Sequence, residues 1–130
     1  MTDAILLQRE GGLLTLQLNR PDKKNALTRA MYTQLAEALE QADADSGIRA
    51  VLIQGSNECF TAGNDIADFL EQPPSDLDSP PFHFMKSLLN CRKPVIAAVA
   101  GAAVGIGTTL LLHCDLVYIC LLYTSDAADE

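Results

Sequence analysis

Leu13 to Leu18 alternates apolar and polar positions directly after Gly11-Gly12, placing Leu14, Leu16 and Leu18 on one face, the pattern of a half-buried strand. Ile5 to Arg9, just before it, reads as the hairpin partner. Asn19 to Asn25 is rich in turn formers, and Thr28 then stands where it can cap a helix whose Met31, Leu35, Leu39 and Ala42 share one side. That helix should end near Asp45-Ser46-Gly47. Ala50 to Ile53 and Pro94 to Val99 are short apolar runs of the kind expected for strands buried on both faces. Between them Gln72 to Pro81, with four prolines, reads as a loop. Ala100 to Gly107 is small and glycine-rich and leads into a predicted helix, Thr108 to Cys114, and a last strand, Asp115 to Ile119. Strand, helix, strand, helix, strand is the order of a right-handed parallel crossover, so the pattern predicts an α/β fold.

At 130 residues the chain has room for one domain or part of one. No apolar run reaches the ~18–20 residues that span a bilayer, and the first residues lack the basic-then-apolar order of a secretory signal. A cytoplasmic protein without membrane contact is therefore expected. The net charge of −8 argues against nucleic acid as a partner, because phosphate backbones need an extended basic surface. Local basic clusters at Arg20, Lys23 and Lys24, and at Lys86, Arg92 and Lys93, are equally compatible with a small anionic ligand and with a solvated face. Cys59, Cys91, Cys114 and Cys120 form no CxxC pair, and His83 and His113 share no ligand spacing, so no metal site is predicted. The spacing of Gly101, Gly105 and Gly107 does not match GxGxxG, and Gly55-Ser56 is not part of GxSxG. A glycine-rich strand-to-helix turn can nonetheless present backbone N–H groups to developing negative charge.

Three stretches, in order, resemble the enoyl-CoA hydratase/isomerase (crotonase) family: Leu18-Asn19-Arg20-Pro21-Asp22-Lys23-Lys24-Asn25-Ala26-Leu27, Cys59-Phe60-Thr61-Ala62-Gly63-Asn64-Asp65-Ile66, and Val99-Ala100-Gly101-Ala102-Ala103-Val104-Gly105-Ile106-Gly107. The similarity runs from about residue 5 to residue 119. It implies an incomplete crotonase-like (ClpP/crotonase) spiral of ββα units that binds a CoA thioester. Carried over by position, the oxyanion-hole donors are the backbone amides of Asn64 and Ile106, which follow Gly63 and Gly105. Lys23, Lys24, Ala26 and Leu27 match positions that contact the CoA nucleotide; Ala62 and Ile66 match the pantetheine and acyl path. Asp65 falls in the same substrate-binding loop and is expected to cap the short helix after it. No cofactor is implied beyond the coenzyme A of the substrate, and a homotrimer or dimer of trimers is the assembly the family suggests.

The resemblance also suggests a branch. Where hydratases carry a carboxylate shortly after the glycine-rich turn, this chain has Thr109, whose hydroxyl is no general acid or base near neutrality. The loops look more like those of the delta-isomerases, which use one glutamate from a segment beyond the strand ending at Ile119. Residues 1–119 are thus expected to be the front part of a crotonase-like domain without its base, inactive as it stands and with apolar surface left open. Residues 120–130 resemble a translated sequencing adapter, a non-native tail; without its three acidic residues the charge is nine basic against fourteen acidic, or −5. An enoyl-CoA hydratase and a non-catalytic acyl-CoA-binding fragment are the alternatives.

Overall fold

The computed structural model describes residues 3–56, 58–72, 79–103 and 105–120. Two strands, β1 (Ile5–Glu10) and β2 (Leu13–Leu18), form the expected antiparallel hairpin, with Ile5 opposite Leu18 and Glu10 opposite Leu13. A single 3₁₀ turn, Pro21–Lys23, leads to α1 (Arg29–Ala44). Thr28 caps α1 as its sequence position predicts, its hydroxyl accepting from the Met31 N–H at 3.2 Å. The chain continues through β3 (Ala50–Gln54), β4 (Cys59–Thr61), α2 (Ile66–Glu71), α3 (Pro80–Asn90), β5 (Val95–Ala100), β6 (Ala102–Ala103), α4 (Ile106–Leu112) and β7 (Leu116–Cys120).

The main sheet has the order β1-β2-β3-β5-β7, and every pairing after the hairpin is parallel. β4 and β6 pair separately in a small parallel ribbon. Leu16, Leu18, Val51, Ile53, Val95, Ala97 and Val99 point from the main sheet into one core. Met31, Tyr32, Leu35, Leu39 and Ala42 of α1, and Phe84 and Leu88 of α3, complete it.

Three local expectations are corrected. β3 and β5 are not buried on both faces: Val51 and Ile53 are enclosed while Ala50, Leu52 and Gln54 are half-buried, the alternation of strands fully covered on one side only. The proline-rich segment is not all loop, because Pro80 and Pro81 open α3, where a missing N–H costs nothing and the fixed φ suits the first turn. Residues 73–78 of that segment lie outside the described residues. α4 begins at Ile106, two residues earlier than predicted. Of the predicted tail, residues 120–130, Cys120 is the last residue of β7 and pairs with Ala100, and residues 121–130 lie outside the described residues. Leu112, Leu116, Tyr118 and Ile119 are between 48% and 79% exposed, an open apolar surface of the kind anticipated.

Parallel strands share a direction, so the loops leaving the C-terminal ends of β2, β3 and β5 emerge at one edge of the sheet. Those loops contain the three stretches singled out in the sequence.

Candidate functional site

The first loop is organised by Asn25. Lys24 and Asn25 adopt φ of 51° and 57°, a left-handed conformation that Asn tolerates better than most residues. Asn25 is 1% exposed. Its Oδ1 accepts from the Arg20 N–H at 2.7 Å, and its Nδ2 donates to the carbonyls of Cys59 and Phe60, both at 3.2 Å. Thr61, fully buried, donates its hydroxyl to the Asn25 carbonyl at 2.6 Å and accepts from the Gly63 N–H at 3.1 Å. The buried Asn25 is thus satisfied by its own loop at Oδ1 and by the second loop at Nδ2 and its carbonyl, as buried polar groups must be.

Leu27 completes the join. Its N–H donates to the Gly63 carbonyl and its carbonyl accepts from the Asp65 N–H, each at 2.8 Å, which makes a parallel bridge between Leu27 and Asn64. In that geometry Asn64 turns its own N–H away from Leu27. No acceptor among the described residues takes it. Gly63, at φ 95°, makes the sharp path possible.

Gly105, at φ 59° and ψ −120°, occupies a region open only to glycine and leads into Ile106, the first residue of α4. The Ile106 N–H is likewise without an acceptor among the described residues. The two glycine loops meet: a Cβ built on Gly105 would stand 4.0 Å from the Cα of Gly63. Residues 63–64 and 105–106, some forty positions apart in sequence, thus meet, and each pair carries a backbone donor without an acceptor among the described residues.

The remaining predicted site residues are placed as follows. Ala62, Asn64 and Ile66 are exposed, and Ala26 is half-buried. Lys23 and Lys24 are exposed, whereas the Leu27 side chain is in the core at 2% exposure, so its share in the site is its backbone. Asp65 caps α2, accepting from the Asp68 N–H at 3.0 Å, and pairs with Arg20 at 2.7 Å. The bond from the Asp68 N–H, followed by the Arg20 guanidinium, holds the Asp65 carboxyl below the ordinary range.

Arg20 also donates to the Ala26 carbonyl at 2.9 Å, so this member of the first basic cluster is committed to the loops themselves. In the second cluster Arg92 pairs with Asp43 at 3.3 Å, and Lys93 donates to the carbonyls of Asp45 and Ile48. His83 Nε2 lies 3.2 Å from Glu40, and His113 is exposed. Sequence reasoning missed two further participants. Asn25 was visible only as a letter in the first motif, and Tyr32, which donates to Asn64 Oδ1, carried no local signal at all.

A mixed α/β protein with two amides, unpartnered among the described residues, gathered at the C-terminal edge of a parallel sheet is the class that fold and site define. The sequence profile described as enoyl-CoA hydratase/isomerase matches residues 8–121. The chain belongs to the enoyl-CoA hydratase/isomerase family, the crotonase family of the resemblance. It is 36% identical over 120 residues to the mitochondrial Delta(3,5)-Delta(2,4)-dienoyl-CoA isomerase of Rattus norvegicus, covering 82% of this chain and 37% of that one. It is 40% identical over 124 residues to the 1,2-epoxyphenylacetyl-CoA isomerase of Escherichia coli (strain K12), covering 90% and 47%. The solved structure of OdaA from Pseudomonas aeruginosa superposes with a TM-score of 0.88 at 66% identity, covering 91% of this chain and 48% of that one. The chain spans less than half the length of each of these three relatives.

Proposed function

We propose that the paired loops bind the thioester carbonyl of an acyl-CoA, with the Asn64 and Ile106 N–H groups donating to its oxygen. The observation that carries this reading is the meeting of the two glycine loops, each followed by an amide with no acceptor among the described residues. When a proton leaves the carbon next to the carbonyl, the electron pair moves onto the thioester oxygen, and two aligned donors stabilise that enolate. One such donor is typically worth about 2.7–4 kcal/mol of barrier.

Within the family the reaction we favour is isomerisation. The proton is removed from the carbon beside the carbonyl and returned two carbons further on, which brings the double bond into conjugation. Thr109, exposed at the position where a hydratase would carry a carboxylate, supports isomerisation over addition of water. Asp65 is a poor base, because its carboxylate is occupied by the Asp68 N–H and by Arg20. The proton acceptor would come from the part of the family's length that this chain does not span, which makes the 130-residue chain a binder of acyl-CoA without turnover. Lys23 and Lys24, exposed beside the first loop, are suited to the nucleotide phosphates.

The test is a titration of the ¹⁵N-labelled chain with hexanoyl-CoA, read at the backbone amides, together with an assay for conversion of a 3-enoyl-CoA to its 2-enoyl isomer. Shifts concentrated at Asn64 and Ile106 without conversion are expected. An unmoved pair of amides would refute the site, and conversion by this chain would refute the missing base.

A further inference from the structure

Tyr32 lies on α1, outside all three motif stretches, and is 2% exposed. Its ring packs against Phe84 of α3 with centroids 5.7 Å apart and an interplanar angle of 46°. Its hydroxyl donates to Oδ1 of Asn64, reaching from the core to an otherwise exposed side chain. Burial pushes the phenol well above its ordinary value, so it remains a donor across the accessible pH range.

The consequence follows from the chemistry of asparagine. An unheld Asn side-chain carbonyl is a strong local competitor for nearby backbone N–H groups, the basis of the Asx turn. At position 64 such a turn would rotate the peptide that carries the proposed donor. We infer that Tyr32 is a positioning residue: by taking Asn64 Oδ1 into the core it keeps that carbonyl off the local backbone and leaves the Asn64 N–H directed at the ligand. This rests on the acyl-CoA reading of the site and adds to it a residue that touches no substrate.

A double-mutant cycle in the 130-residue chain separates this role from plain packing. Hexanoyl-CoA is titrated into wild type, Tyr32→Phe, Asn64→Ala and the double variant, with affinity and the residue-64 amide shift read together and thermal melts recorded alongside. Tyr32→Phe keeps the ring against Phe84 and should weaken binding about three- to tenfold, with the shift at residue 64 reduced and that at Ile106 retained. Asn64→Ala has no side-chain carbonyl to compete, so adding Tyr32→Phe to it should cost no further affinity, and the double variant should bind like Asn64→Ala. In Asn64→Gln, whose longer side chain does not make the Asx turn, Tyr32→Phe should likewise cost no further affinity, a second background that keeps the test decisive if the alanine variant melts early. A loss on adding Tyr32→Phe to Asn64→Ala as large as its loss in wild type would overturn the inference, as would a folded Tyr32→Phe that binds normally. A wild type that binds no thioester would sink the acyl-CoA reading, and the inference with it.

Discussion

Replacing Asn25 with alanine tests whether the two motif loops are held together as described. The substitution deletes an acceptor for the Arg20 N–H at 2.7 Å and two donors, to Cys59 and Phe60 carbonyls at 3.2 Å. The Cys59 carbonyl retains the Ser56 N–H at 3.0 Å, so it is not orphaned. At about 1 kcal/mol net for each lost bond, the deleted contacts amount to about 3 kcal/mol. Alanine must also hold φ near 57°, which adds about 1–2 kcal/mol. A loss of about 4–5 kcal/mol is therefore expected, a large part of the ~5–15 kcal/mol that stabilises a domain. Urea unfolding at a common slope measures it. Asn25→Asp isolates the donors, since it keeps the acceptor and the backbone preference but turns a carboxylate toward two carbonyls. Desolvation and those carbonyls would raise the pKa of this Asp, so the variant should be poor at neutral pH and approach wild type as acid protonates it. An alanine variant within 1 kcal/mol of wild type, or an aspartate variant equal to wild type at neutral pH, would refute the reasoning.

Two further outcomes follow from the same loops. A Cβ on Gly107 would stand 2.4 Å from Cγ2 of Thr61, so Gly107→Ala should destabilise; Thr61→Ser, which removes that methyl and keeps the hydroxyl, should recover most of the loss in the double variant, and additive melting temperatures would contradict this. Asp65 is depressed below its ordinary range by the Asp68 N–H and then by Arg20, so its contribution is present above the unfolded carboxylate value and lost as pH falls through the lower folded value. Asp65→Asn should flatten this acid limb of melting temperature against pH, and an unchanged limb would show that other carboxylates set it.

The hairpin, α1 with its Thr28 cap, and the cores of β3, β5 and β7 were legible because each is written in local spacing: a period of two, a helical stripe, or a capping hydroxyl. β4 and β6, at three and two residues, are too short to carry a period, and their pairing is a property of the tertiary fold. The one-sided burial of β3 and β5 was missed because a continuous apolar run looks alike whether one face or both are covered. Arg20 shows the limit most clearly. Its charge was visible, but its carboxylate partner is 45 residues away, so a ligand and a solvated face remained equally open until the loops were brought together. Tyr32 and Asn64, 32 residues apart, were hidden for the same reason.

The two proposed donors are supported in different ways, and this bears on how stability and binding are coupled. The Asn64 peptide is bracketed by Leu27 on both sides, and behind it stand Thr61, Asn25 and the Arg20–Asp65 pair. Those bonds join segments far apart in sequence, so they contribute to the fold while they aim the amide. Among the described residues no hydrogen bond ties Gly105 or Ile106 to Gly63 or Asn64; the second loop reaches the first through the close approach of two glycines and is anchored by its own helix, where the Thr109 N–H donates to the Gly105 carbonyl at 3.2 Å. Damage to the first support should therefore lower stability and binding together. A side chain introduced on the Gly105 side acts on local backbone conformation and on the space between the loops, and leaves the interlocked network intact. The first donor is thus held by bonds that also hold the fold, and the second by the local conformation of Gly105 and the start of α4.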